Sequence, residues 1–193
     1  MNAASCDPDP RLREHTIVLV GLMGAGKTSV GRRLALALDL PFRDSDEEVE
    51  RAAGRTVAEI FADLGEQAFR DGERKVIARL LDEPPHVLAT GGGAFMNPDT
   101  RQLIAEKAIS IWLKADIDVL LRRVGRKTDR PLLQSDDPRG VLEGLAAQRH
   151  PTYVLADITV DSVESPHSAT VQAIMDALRE RQCRTSGQEP AKP

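Results

Sequence analysis

Residues 21–28 read Gly-Leu-Met-Gly-Ala-Gly-Lys-Thr, which places Gly21, Gly26, Lys27 and Thr28 in the spacing of a phosphate-binding loop. The chemistry requires that spacing. Glycines let the backbone wrap with its N–H groups turned inward as an anion nest, and a helix opening at Lys27 adds its positive N-terminal end. Lys27 would reach the β- and γ-phosphates, and the Thr28 hydroxyl is a hard oxygen ligand for Mg²⁺. Gly24, Ala25, Gly26, Lys27, Thr28 and Ser29 are therefore the candidate ATP-binding residues. Two rival readings exist. A chance glycine-rich turn would lack the buried strand before the loop and the amphipathic helix after it. A dinucleotide-binding turn needs a third glycine where Ser29 stands, and gives Lys27 no role.

Further along, Asp44-Ser45-Asp46 follows a short extended run. With strand-like alternation the two carboxylates would point the same way, toward the phosphates. Asp44 is then a candidate Mg²⁺ ligand, and Asp46 a candidate base or binder of an acceptor hydroxyl. Alternatively Ser45 or Asp46 only caps the next helix. Arg70 and Glu73 are three apart and share a helical face, where an exposed ion pair would contribute little. Arg149 lies in Arg-His-Pro-Thr-Tyr at 149–153. Taken singly each arginine reads as a surface residue, although arginine is the side chain best suited to bidentate carboxylate recognition.

The elements that must position these groups alternate strand and helix. Thr16–Val20 is a continuous β-branched apolar run, the pattern of a strand buried on both faces. A helix over 27–39 and a short strand at 42–44 follow. Next come a helical region over roughly 46–82 broken near Gly54 and Gly65, and a strand at 87–90 leading into Gly91-Gly92-Gly93. Helices at 98–107, 116–124, 138–148 and 166–181 and strands at 109–113 and 156–160 complete the series. Residues 125–137 are polar and aperiodic, a loop long enough to act as a lid. Such alternation predicts an α/β fold in three layers, with a central, mostly five-stranded parallel sheet between helices. Ligands in such sheets sit at the carboxyl ends of the strands, where the polar motifs fall. The chain divides into an N-terminal arm (1–13), one domain (14–183) and a C-terminal tail (184–193).

With 193 residues, 41% hydrophobic and 29% charged, the chain suits one globular domain. A net charge of -4 argues against non-specific nucleic-acid binding. The two cysteines, Cys6 and Cys183, have no metal-ligand spacing and read as free thiols. No apolar run approaches the ~20 residues of a membrane span, and the first residues lack a secretory pattern. A cytoplasmic monomer is expected.

The segments GLMGAGKTSVGRRLA (21–35), DSD (44–46), TVAEIFADLGEQAFRDGE (56–73), ATGGGAF (89–95), DRPLL (129–133) and RHPTY (149–153), in this order and spread over nearly the whole domain, resemble the shikimate kinases. The resemblance implies a P-loop kinase fold and transfer of the γ-phosphate of ATP to the 3-hydroxyl of shikimate, in chorismate and aromatic amino-acid biosynthesis. It implies that Asp46, Arg70, Gly92, Gly93 and Arg149 bind shikimate, with Arg70 and Arg149 on its carboxylate and Asp46 on its hydroxyls as the candidate base. Phe61 and Phe69 would wall the pocket. Arg130, in the closing loop, would stabilise charge on the transferring phosphate with Lys27, and Arg123 would lie against the adenine. Glu164 departs from the basic residue that the family often has near that side of the adenine site. A kinase for another hydroxy acid such as gluconate, and a non-catalytic sensing module, are the alternatives.

Overall fold

The computed structural model describes residues 10–125, 137–163 and 167–186. Five parallel strands form one sheet in the order β2-β3-β1-β4-β5: β1 (Thr16–Val20), β2 (Phe42–Asp44), β3 (Val87–Ala89), β4 (Ala108–Lys114) and β5 (Ile158–Asp161). Every residue of β1 is buried, because this strand is the centre of the sheet and helices cover both faces. Its register runs Val18 opposite Leu88 on one side and Ser110 on the other.

Each helix starts and stops on local chemistry. α1 (Lys27–Leu38) begins after Gly26 and ends at Asp39, whose left-handed backbone (φ 54°) turns its N–H onto the carbonyls of Ala35 and Leu36. Its apolar stripe of Val30, Leu34 and Leu38 is buried. α2 (Ser45–Ala53) is capped by Asp44 and closed by Gly54. α3 (Val57–Leu80) opens on a reciprocal capping box between Thr56 and Glu59 and kinks at Gly65 (φ 79°, ψ 172°). α4 (Pro98–Lys107) is capped by Asn97, and α5 (Ile117–Val124) follows β4. Asp137 caps α6 (Pro138–Tyr153), and α7 is His167–Ser186.

The expected alternation is therefore present, with five differences. α6 does not stop at 148 but continues through Pro151 to Tyr153, because Pro151 stands in its last turn and Tyr153 is held in the core. The last strand is shifted to Ile158–Asp161, and β3 ends at Ala89, with the Thr90 hydroxyl donating to the Leu19 carbonyl. The arm is not loose throughout, since Pro10–Arg13 forms a 3-10 turn and buries Leu12. The tail's first residues, 184–186, continue α7. Residues 126–136 of the expected lid lie outside the described residues.

Candidate active site

The phosphate loop leaves the carboxyl end of the central strand and enters α1. Gly24 (φ 79°) and Gly26 (φ 94°) hold left-handed backbone that a side chain would strain, which is why the loop needs glycine there. Lys27 opens the helix. Its ammonium donates to the carbonyls of Gly21 (2.8 Å) and Leu22 (3.0 Å), within its own loop. Ala25 and Thr28 follow the expected order, and Ser29 sits in the first turn of α1, where its carbonyl accepts from Arg33. Arg123 reaches the loop from α5: one guanidinium nitrogen lies 3.4 and 3.3 Å from the carbonyls of Gly24 and Ala25 and 2.9 Å from Ser162 Oγ. The other donates to the Val163 carbonyl at 2.8 Å. Arg123 is thus built into the loop's surroundings and is not a solvated helix residue. Burial, then the charges of Arg33 and Arg123, hold the nearby His167 below the usual imidazole range.

Thr28 and Asp44 meet. The Thr28 hydroxyl donates to Asp44 Oδ2 at 2.9 Å, joining the phosphate loop to the end of β2. Among the described residues no three His, Cys, Asp or Glu side chains gather into a closed metal cage. Two adjacent hard oxygens suit Mg²⁺ well, because that ion keeps waters and phosphate oxygens for its other positions.

Asp46 does not continue the strand. The strand stops at Asp44, whose Oδ1 accepts from the Asp46 N–H at 3.1 Å as the cap of α2. The capping role expected of Ser45 or Asp46 therefore belongs to Asp44, which serves cap and hydroxyl at once. Ser45, wholly buried, accepts from the Gly91 N–H through Oγ at 2.9 Å and ties α2 to the glycine run after β3.

That run is the centre of the candidate acceptor site. A Cβ on Gly91 would lie 2.4 Å from Glu73 Oε1 and 2.8 Å from Asp46 Oδ1. A Cβ on Gly93 would lie 2.6 Å from the Arg70 guanidinium, and one on Gly92 3.2 Å from Arg149 Nη1. Asp46, Arg70, Gly92, Gly93 and Arg149, spread over 46–149 in sequence, thus meet around one glycine turn. The turn lies against the phosphate loop, because the same Cβ on Gly92 would be 3.5 Å from the Gly21 carbonyl oxygen and 3.7 Å from the Met23 nitrogen. The Phe61 and Phe69 rings meet at a 37° tilt with centroids 4.8 Å apart, and the Arg70 guanidinium lies over Phe69.

The pairing of Arg70 with Glu73 is not a solvated surface pair. Glu73 is 2% exposed, and its Oε2 accepts from Arg70 at 2.8 Å. Burial pushes the Glu73 carboxyl above the usual range; Arg70 opposes that, the Asp46 charge adds to it, and Arg149 opposes it weakly. One carboxylate thus senses all three charged candidates, Arg70, Asp46 and Arg149. Burial works against the Arg70 charge, yet Glu73 and then Glu66 outweigh it and hold the guanidinium above its ordinary value.

In the sequence Glu73 is marked only by its spacing from Arg70 and Ser45 only as a candidate cap, and no local signal points to Ser162 or Tyr153. Arg130, Glu164 and Pro166 lie outside the described residues.

With a phosphate loop at the central strand and acceptor groups gathered at the neighbouring strand's end, the chain has the build of a P-loop kinase for a small anion. The family model described as shikimate kinase matches residues 23–179. The shikimate kinase of Caulobacter vibrioides is 65% identical over 169 residues, covering 88% of this chain and 84% of that protein. That of Bradyrhizobium diazoefficiens is 54% identical over 182 residues, covering 94% and 86%. The solved structure of the Acinetobacter baumannii shikimate kinase in complex with shikimate superposes with a TM-score of 0.84 at 36% identity, covering 90% of this chain and 98% of that one. The chain belongs to the shikimate kinase family. A gluconokinase from Sinorhizobium meliloti, at 20% identity and a TM-score of 0.62, shares the fold alone.

Proposed function

We propose that this chain transfers the γ-phosphate of ATP to the 3-hydroxyl of shikimate, releasing ADP and shikimate 3-phosphate, in the route to chorismate and the aromatic amino acids. The observation that carries this reading is the gathering of Arg70, Arg149 and Asp46 on one glycine turn that lies against the phosphate loop. A cyclic polyhydroxy acid offers a match for each group. The two guanidiniums take the carboxylate, and Asp46 accepts from ring hydroxyls and removes the proton from the attacking one. Phe61 and Phe69 supply an apolar wall for the ring. The glycines keep side chains out of the space that the substrate needs.

On the nucleotide side, the 24–29 backbone and Lys27 hold the β- and γ-phosphates, with Arg123 backing the loop. Thr28 and Asp44 would hold Mg²⁺, which when bound neutralises charge on the phosphates. Arg130 would supply a further positive charge to the transferring phosphoryl group. Catalysis in this scheme is mostly positioning and electrostatic stabilisation, with Lys27, Asp46 and Arg130 as the catalytic side chains.

A coupled ADP assay with ATP and Mg²⁺ tests the reading. Shikimate should drive ADP release, with quinate and gluconate far less effective. Absence of shikimate-dependent release, or a preference for gluconate, would sink it. The proposal extends to a cytoplasmic monomer. Separately, among the described residues no helix is long and apolar enough to cross a membrane. Light scattering on the purified protein checks the monomer.

A further inference from the structure

Tyr153 is the only tyrosine of the chain, and it is among its largest fully buried side chains. Its ring neighbours those of Phe95 (6.4 Å between centroids) and Trp112 (5.9 Å). Burial pushes its hydroxyl pKa up, so the group keeps its proton and can donate. It donates to the Gly92 carbonyl, the same oxygen that accepts from Arg149 Nη1 at 3.1 Å. Arg149 and Tyr153 are four residues apart on α6 and so face the same way. Two donors from one helix therefore fill both lone pairs of one carbonyl.

That carbonyl belongs to the planar peptide joining Gly92 to Gly93, so fixing the C=O also fixes the direction of the Gly93 N–H. On the Gly92 side the peptide meets Arg149; on the Gly93 side it meets the Arg70 guanidinium. Glycine has no side chain to hold such a peptide in place, and the backbone bonds that close the turn, from the Ala94 N–H to the Gly91 carbonyl (3.2 Å) and from the Met96 N–H to the Gly93 carbonyl (3.0 Å), leave the Gly92 carbonyl to the two α6 donors. The Tyr153 hydroxyl supplies a second constraint beside Arg149.

We infer that Tyr153 is a positioning residue: it locks the Gly92–Gly93 peptide and thereby sets the aim of Arg70 and Arg149 on the acceptor's carboxylate. The inference rests on the functional reading above. With phenylalanine at 153 the ring packing stays and Arg149 still satisfies the carbonyl, so the fold survives. The peptide can then rotate, and Arg149 becomes the donor that must hold it, at the expense of the substrate.

Shikimate binding and turnover are measured separately, by titration calorimetry and by steady-state assay. Tyr153→Phe should weaken shikimate binding and raise its KM by about 3- to 10-fold, the worth of one net hydrogen bond. The KM for ATP should stay within about twofold, and the melting temperature should change little. Trp112→Phe is the control, since it loosens packing against the same ring and leaves the hydroxyl in place. It should lower the melting temperature without separating the two KM values. Because the chain has one tyrosine, growth on 3-fluorotyrosine labels this site alone. Its fluorine resonance should shift on addition of shikimate and much less on addition of ADP. Unchanged shikimate affinity in Tyr153→Phe, an equal rise in both KM values, or a resonance indifferent to shikimate would overturn the positioning role. A wild-type protein that binds no shikimate at all would instead overturn the functional reading.

Discussion

Thr28 and Asp44, sixteen residues apart, are joined by a 2.9 Å hydrogen bond that ties the phosphate loop to the end of the neighbouring β2–α2 junction. Asp44 uses its other oxygen to cap α2, so one carboxylate starts the helix that carries Asp46 and, in the proposed function, would also help hold Mg²⁺. The two roles can be separated. Asparagine caps a helix about as well as aspartate but lacks the charge that holds a cation. Asp44→Asn should therefore keep the melting temperature within a few degrees. The Mg²⁺ concentration for half-maximal activity should rise about 10- to 100-fold. Titration of Mg²⁺ at saturating ATP and shikimate measures this. An unchanged Mg²⁺ dependence would remove Asp44 from the metal site.

Gly91→Ala tests the close approach at the acceptor turn. Gly91 is not one of the glycines with left-handed backbone, so alanine is tolerated conformationally. Its methyl group would nevertheless press on Glu73 Oε1 and Asp46 Oδ1. The displaced atoms are tips of functional side chains, so the damage should fall on the reaction more than on the fold. An increase of about tenfold or more in the shikimate KM is expected, with an overpacking cost of about 1–3 kcal/mol in stability. Chemical denaturation and steady-state kinetics give the two numbers.

Glu73 makes acid sensitivity predictable. Burial places its pKa above that of an ordinary glutamate, and only the ionised form holds Arg70 by a charge pair. As pH falls through that raised value, kcat/KM for shikimate should drop before exposed carboxylates titrate. Stability has the opposite sign. A carboxyl whose folded pKa is raised favours the folded state when protonated, so this contribution is present at low pH and lost as pH rises through the raised pKa. Glu73→Gln should flatten this acid limb and lower kcat/KM at neutral pH by about tenfold, through loss of a charge-assisted bond. A mutant profile identical to wild type would show that another group governs the limb.

Arg123→Ala should act on the nucleotide alone. The change removes donors from the carbonyls of Gly24, Ala25 and Val163 and from Ser162 Oγ. The phosphate loop loses its brace on that side. The KM for ATP should rise by about tenfold or more, while shikimate binding measured without nucleotide stays as in wild type. A comparable loss of shikimate binding would mean that Arg123 supports the fold as a whole.

Features that a short stretch of chain encodes were legible without the fold. The strand at 16–20, the loop at 21–28 and the helix from Lys27 are contiguous, and their chemistry is written in residue spacing: five apolar residues in a row, glycines where the backbone must turn, an amphipathic period after them. Asp46, Arg70 and Arg149 were legible as candidates through their motifs. Tertiary structure decided what depends on desolvation and on contacts between distant segments. Arg70 and Glu73 read equally well as a surface pair until α3 was packed and Glu73 was buried beside Asp46. Pro151 reads as the end of a helix, yet burial of Tyr153 outweighs the lost backbone bond and carries α6 far enough to aim Tyr153 and Arg149 together. The Tyr153 contact with Gly92 spans 61 residues and leaves no periodic trace. Local pattern fixes which faces are apolar and where the chain turns; only the packed fold removes water from a carboxylate and brings a hydroxyl to a distant carbonyl.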